Sequence, residues 1–329
     1  MKRFGYLFEK IKDKDNIRLA HKNARRGKLH YDEVKEVESN LDYYIDEVYR
    51  LLDSGEFTTS EYIIEDKLDK GKLRTLYKLP YFPDRIVHHA IMQVLEPIWE
   101  PTLIANTFQS LKGRGPHKAL KKIRKEVLGK EGMYYLQLDV VKYYPSINND
   151  RLKKVVRTKI KCPGTLLLLD DIIDSCEGVP IGNYISQYFG NLYLNALDHE
   201  ISMISGITYY RYCDDIVCIS NDKELLWEAH KLILYGTSKI NLKLKCAKLH
   251  LITESVGLDF LGYVVYSNRI LLRRRIKDAA YDNINENNLH SYTGWLKHCS
   301  GYNLTREIKR RLENDTITRE TCDRSRKRF

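Results

Sequence analysis

Tyr209-Tyr210-Arg211-Tyr212-Cys213-Asp214-Asp215-Ile216-Val217-Cys218-Ile219-Ser220 is the stretch whose reading decides the fold of this chain. Two short apolar runs, residues 209–212 and 216–220, stand on either side of an acidic pair, which predicts two strands of a hairpin with Asp214 and Asp215 at its tip. An Asp-Asp pair on its own is usually a solvated turn. Apolar strands on both sides would instead hold these acids rigidly at the edge of a core. A third acid, Asp139, lies near the end of another largely apolar run, residues 133–141, read as a buried strand. Like charges that close repel each other unless a cation sits between them, and carboxylate oxygens are the hard ligands that magnesium requires. Two such ions can clamp an in-line phosphoryl transfer, one at an attacking 3′-hydroxyl and one at a leaving pyrophosphate. That chemistry needs no histidine or cysteine nucleophile, and no suitable constellation of either is evident.

Outward from the hairpin, strands and helices alternate. Residues 4–52 carry apolar side chains at helical spacing (Val34, Val37, Leu41, Tyr44, Ile45, Val48, Leu52) until Gly55 interrupts them, which predicts a helical N-terminal extension. Short β-like runs at 62–64 and 73–78 flank Asp69-Lys70-Gly71 and predict a hairpin. Pro83-Asp84 starts a helix that ends at Pro97 or soon after. The basic, glycine-rich Lys112-Gly113-Arg114-Gly115-Pro116 then leads into a helix over 117–128. Helices are expected over 150–174, 183–204 and 223–238, with strands at 248–253 and 260–265. There is no internal repeat.

Composition narrows the partner. Lys and Arg number 55 against 44 Asp and Glu, a net charge of +11 that favours a polyanion. The 24 tyrosines can stack on a base or sugar as well as fill core and rim positions. Seven cysteines without a CxxC pair indicate neither a disulfide framework nor a zinc site, and fit a reducing compartment. Residues 1–14 lack the apolar core of a signal peptide and no run approaches a membrane span, so a soluble, cytoplasmic protein is expected.

Tyr212-Cys213-Asp214-Asp215 resembles the YxDD box of reverse transcriptases, and other stretches fall around it in the order that family uses. Leu136-Gln137-Leu138-Asp139, followed by Val140 to Ile147, resembles the strand carrying the first catalytic aspartate. The resemblance implies catalytic Asp139, Asp214 and Asp215, with Val140 joining them in a site for two Mg2+ ions, Mn2+ being the substitute ion. It implies a sugar gate at Tyr144, with Tyr143 as the competitor for that role. Arg74 and Lys78 fall in the segment that grips the triphosphate, Arg114 in a box contacting template or phosphate, and Lys248 at the position of a lysine near the triphosphate. Lys243 and Lys245 read as solvated or facing nucleic acid. Residues 258–263 resemble the primer grip, where Gly262 would permit close backbone approach. Beyond residue 268, Arg273, Arg274 and Arg275 suit phosphate contacts of a helical thumb, and the basic tail 324–329 reads as RNA-binding or solubilising.

One box departs from the family pattern. Most reverse transcriptases carry QGxxxSP, whereas this chain reads Ile181-Gly182-Asn183-Tyr184-Ile185-Ser186-Gln187. That resembles the enzymes of diversity-generating retroelements, which copy a template RNA into cDNA with frequent errors opposite adenine and act with a small basic accessory variability protein. Ile181 and Gln187 are therefore the expected fidelity positions, and Ile181 and Gly182 border the nucleotide. The resemblance implies an α+β right-hand polymerase: a helical extension over 1–60, fingers and an antiparallel palm with helices over 61–267, and a basic helical thumb and tail over 268–329. Two other readings remain open. One is a retron-type or phage-defence reverse transcriptase, and the other is a non-catalytic RNA-binding scaffold on a decayed polymerase fold. The oligomeric state is not legible from the sequence.

Overall fold

The structure, a computed structural model, describes residues 2–69, 71–285, 288–308 and 310. Four helices open it: α1 (Phe8–Lys12), α2 (Lys14–Ala24), α3 (Asp32–Ser39) and α4 (Leu41–Ser54). The Asp13 side chain caps α2 by accepting the Asp15 and Asn16 amides, and Gly55, in the left-handed region, ends α4. The apolar stripe read from the sequence, Val34, Val37, Ile45, Val48 and Leu52, is buried. β1 (Ile63–Asp69) and β2 (Lys72–Lys78) form the expected hairpin, with the first strand longer than its apolar run implied. Helix α5 (Ile86–Trp99) follows, lying along α2 through Asn16 Nδ2 to the Ala90 carbonyl at 3.1 Å and Asn23 Nδ2 to Gln93 Oε1 at 2.7 Å. α6 (Pro116–Val127) begins on Pro116, whose missing N–H costs nothing in a first turn.

A four-stranded antiparallel sheet forms the centre, ordered β4 (Thr208–Tyr212), β5 (Asp215–Ser220), β3 (Tyr134–Asp139) and β6 (Lys248–Leu251). Alternate residues serve two cores. Leu136, Leu138, Tyr209, Ile216 and Cys218 join the helices on one face, while Tyr135, Tyr210, Val217 and Ile219 meet α6 and the C-terminal elements on the other. Burial on both faces is why these strands read as nearly continuous apolar runs.

Three expected elements divide in two. The helix over 150–174 is α7 (Asn149–Arg157) and α8 (Pro163–Asp174), with Pro163 favoured at the first position of a new helix and costly in the middle of a continuous one. The helix over 183–204 begins later, as α9 (Ser186–Tyr193), and resumes as α10 (Asn195–Ser202). Just before it, the chain is tied to the hairpin, since the Tyr77 amide donates to the Ile181 carbonyl at 2.9 Å. The strand over 260–265 is a second hairpin, β7 (Leu258–Phe260) and β8 (Tyr263–Val265), turned through Leu261 at φ +55° and Gly262 at φ +85°. Positive φ at both central residues is the turn whose twist suits a two-residue hairpin. Helix α11 (Lys223–Ser238) has the bounds expected, capped by Asp222.

β9 (Ile270–Leu272) pairs with β8, so this smaller sheet crosses the 267/268 boundary expected from composition. α12 (Arg274–Asn283), α13 (Leu289–Leu296) and helical residues 302–308 follow. The tail 324–329 lies outside the described residues, as does Lys70 of the first turn. Among the described residues no helix is long and apolar enough to cross a membrane, and six cysteines are all free.

Candidate active site

Pairing registers place the acids. Asp139 on β3 lies directly opposite Asp215 on β5, and Tyr212 opposite Asp215 leaves Cys213 and Asp214 as a two-residue turn. Cys213 adopts φ +59°, a left-handed conformation costing a residue with a Cβ about 1 kcal/mol. Arg211 holds that turn. Its Nη1 donates to the Cys213 carbonyl at 3.0 Å and to Asn191 Oδ1 at 3.3 Å. Nε and Nη2 engage Asp198 at 2.6–2.9 Å, and Nη2 also reaches the Asn191 carbonyl at 3.0 Å. Tyr209 Oη donates to the same aspartate at 2.7 Å. Arg211 and Asp198 are both fully buried, so this is a desolvated ion pair with every guanidinium N–H satisfied. It fastens the acidic turn to α9 and α10. The sequence signal was available: an arginine within an apolar strand requires a buried acid as partner.

Burial, then the Asp139 charge, raises the Asp214 carboxyl above the usual carboxylate range. Asp215 is pushed up to about 6, first by burial and then by Asp214 and Asp139, with Arg273 and Lys245 opposing. Lys245, not Lys248, is the lysine at this centre. Its Nζ lies 2.7 Å from Asp139 Oδ1 and its amide donates to the Asp139 carbonyl at 2.8 Å. Lys248 sits opposite Gln137, further down β3, because the chain runs alongside Asp139 before β6 begins. Lys245, expected to be solvated or to face nucleic acid, is half-exposed and also pairs with Asp139.

Among the described residues, no three His, Cys, Asp or Glu side chains already converge as metal ligands. The donor chemistry nonetheless fits a hard divalent cation: carboxylates from facing strands, two of them held at raised pKa by burial and by one another's charge. The linkage has a definite sign. Between the ordinary 3.8 and about 6, Asp215 binds more proton in the folded than in the unfolded state, so its contribution to stability falls as pH rises through that window. Thermal melts in EDTA are expected to show Asp215→Asn gaining stability over the parent at pH 7.5 and little at pH 4. An equal gain at both would contradict the raised pKa.

A cavity of about 750 Å³ opens over Asp214 and Asp215, and Arg74, Val140, Tyr144, Ile181, Gly182, Gln187 and Lys245 also border it, whereas Asp139 does not. Both tyrosines that compete for the gate border this cavity, and they pack differently. Tyr143 is buried and donates to the Gly190 carbonyl at 2.5 Å, whereas Tyr144 is only partly buried. The Cys213 thiol donates to Tyr144 Oη at 3.5 Å, and a Cβ on Gly190 would lie 3.1 Å from the Tyr144 ring. Gly182, at φ +134°, brings its Cα against the β2 backbone, where a Cβ would meet the Tyr77 carbonyl oxygen at 2.5 Å. Only glycine fits there.

Other expected contacts fall elsewhere. Lys78 pairs with Glu65 at 2.5 Å and does not border the cavity. Arg114 Nη1 donates to the Ile104 carbonyl at 2.9 Å, with Glu100 3.9 Å from its Nε, so it ties down its own loop. Arg274 is exposed beside Asp278. Gly262, Arg273 and Arg275 line a separate groove of about 820 Å³ between the 261–262 turn and the C-terminal helices. Trp295 packs so close to Gly262 that a Cβ would meet it at 2.6 Å, and Arg273 donates to Asp259 at 2.6 Å. The backbone approach at Gly262 is thus made by Trp295. Tyr212 borders both groove and cavity.

Residues 64–265 match the family described as "Reverse transcriptase (RNA-dependent DNA polymerase)". Protein YkfC of Escherichia coli (strain K12) is 25% identical over 249 residues, covering 60% of this chain and 65% of YkfC. The group II intron-encoded protein LtrA of Lactococcus lactis subsp. cremoris is 26% identical over 143 residues, 40% of this chain and 23% of LtrA. The chain therefore spans less than two thirds of these relatives. Apo telomerase from Candida Tropicalis aligns with a TM-score of 0.50 at 13% identity, over 64% of this chain and 47% of that one, a likeness of fold alone. The mixed helical and antiparallel architecture is that of the right-hand polymerases. With acids in register on its central hairpin and the family match running from residue 64 to 265, the chain belongs to the reverse transcriptase family.

Proposed function

We propose that this chain is an RNA-directed DNA polymerase that synthesises cDNA from a template RNA and dNTPs at Asp139, Asp214 and Asp215. The observation that carries this reading is the cross-strand Asp139 and Asp215 pair beside Asp214, opening on a cavity bordered by Arg74 and Tyr144. Those aspartates, with the carbonyl of Val140, would hold two Mg2+ ions, or Mn2+ as substitute. Bound there, the ions supply neutralising charge to the leaving pyrophosphate and acidify the primer 3′-hydroxyl. Arg74 attracts the triphosphate, and Lys245 balances the charge of Asp139. Magnesium-dependent extension of a DNA primer on an RNA template tests the reading. Folded protein that makes no RNA-templated product with either ion overturns it.

Tyr144 is the proposed sugar gate, supported by its place on the cavity wall and by its contacts with Cys213 and Gly190. Tyr144→Ala is expected to raise ribonucleotide use relative to deoxynucleotide by about tenfold or more, read from kcat/KM for each. An unchanged ratio removes the gate from Tyr144.

The finer reading is a diversity-generating retroelement enzyme, error-prone at template adenines, working with a small basic accessory protein in mutagenic retrohoming. Its support is that Ile181 and Gln187, the two positions departing from the family box, both border the cavity. Isoleucine offers shape where glutamine would hydrogen-bond. Since such a bond nets about 1 kcal/mol, Ile181→Gln should lower errors opposite adenine about fivefold in sequenced cDNA. An unchanged error spectrum would remove Ile181 from fidelity control.

A further inference from the structure

The first hairpin is pinned at its base. Thr59 donates through its amide and hydroxyl to Asp171 at 2.8 and 2.7 Å, and Ser60 does the same to Asp84 at 3.0 and 2.7 Å. Farther out, Ile63, Ile64, Leu68 and Leu73 are all exposed, so the strands gain little from packing. Arg74 lies three residues along β2 from Tyr77, about 10 Å, and its orientation depends largely on the bonds made at the base.

Tyr62, the residue before β1, makes the bond that faces the 181–187 segment. Its hydroxyl lies 2.8 Å from Ser175 Oγ and accepts from Asn183 Nδ2 at 3.2 Å. Ser175 sets the direction, because its own hydroxyl donates to the Ile172 carbonyl at 2.7 Å. The Ser175 oxygen must then accept, so Tyr62 directs its single proton there and offers a lone pair to Asn183. Burial pushes the Tyr62 phenol up to about 12, which keeps that proton in place at neutral pH. The Tyr62 ring stands edge-on to that of Tyr77, centroids 5.6 Å apart. Tyr77 meets the same segment through its amide bond to Ile181 and its carbonyl against Gly182. Hairpin and segment are thus joined at three consecutive residues, the last of them the buried Asn183. Arg74, Tyr77, Ile181 and Asn183 border the acid cavity, whereas Tyr62 does not.

On the polymerase reading, we propose that Tyr62 is a positioning residue for nucleotide selection: through Asn183 its hydroxyl fixes the spacing between Arg74, at the triphosphate, and Ile181, at the nascent base pair. A bond between two walls of a site acts on substrate geometry without touching substrate. While it holds, phosphates and base pair are gauged from one frame. Without it the segment can yield to a mispair while the hairpin keeps its grip on the triphosphate.

Tyr62→Phe keeps the ring against Tyr77 and removes both of its hydrogen bonds. Incorporation of a single dNTP on an RNA-templated primer should show KM for the matched nucleotide raised about fivefold with kcat within about twofold of the parent, the loss of one hydrogen bond of ordinary strength. The preference for matched over mismatched dNTP should fall by a similar factor, since a mispair gains less from the fixed spacing. A residue serving only the fold would lower the active fraction, and with it kcat, leaving KM and the preference as they were. Asn183→Leu breaks the same link from the other side and supplies the test where Tyr62→Phe fails to fold. Ser175→Ala leaves the Asn183 bond in place and should keep KM within about twofold. Unchanged KM and preference in the folded link variant, or an equal shift in Ser175→Ala, overturns the proposal and leaves the polymerase reading intact. That reading fails instead where the parent itself makes no RNA-templated product.

Discussion

Arg211→Ala is expected to cost about 3–5 kcal/mol of folding stability, measured by urea denaturation, because it strands the buried Asp198 carboxylate without a counter-charge. Lysine is a poor replacement, as an ammonium cannot reach Asp198, Asn191 and the Cys213 carbonyl together. Removing both charges should behave differently. Arg211→Met combined with Asp198→Leu leaves no isolated charge, so most of the stability is expected to return. The bond to the Cys213 carbonyl would still be missing, and that bond steadies the turn presenting Asp214. Stability recovered with primer extension still depressed is the expected pattern, and full recovery of both would make the pair a packing device only.

Asp214→Ala should reduce primer extension at least a thousandfold, about 4 kcal/mol in barrier. The same substitution removes a desolvated carboxylate that its neighbours repel. Its melting temperature in EDTA should therefore equal or exceed that of the parent. Lost activity with retained stability separates a functional acid from a structural one. A comparable loss of both would move Asp214 into the fold.

The acidic hairpin was legible because its two signals agree: largely apolar runs of strand length, and an acidic pair at the turn between them. Tyr144 and the 181–187 box were legible as positions but not as contacts. Nothing in the local pattern says that the Tyr77 amide ties Ile181 to the first hairpin. Lys245 illustrates the limit most plainly. Lys243, Lys245 and Lys248 look alike in sequence, and the approach of Lys245 to Asp139 depends on where β6 begins its pairing with β3. Arg114 was read toward template or phosphate and Lys78 toward the triphosphate from the segments they fall in, and each has a nearby acceptor in the fold. Arg211 carried a signal that went unused: its charge inside a buried strand implied a buried acid as partner, which the fold supplies as Asp198.

Single-turnover incorporation of one dNTP on an RNA-templated DNA primer, followed as Mg2+ is titrated, tests the central claim most directly. Incorporation is expected to require Mg2+, to obey the template base, and to vanish in Asp139→Ala and Asp214→Ala proteins that remain folded. Template-directed incorporation that survives in either folded variant would contradict the assignment of these aspartates.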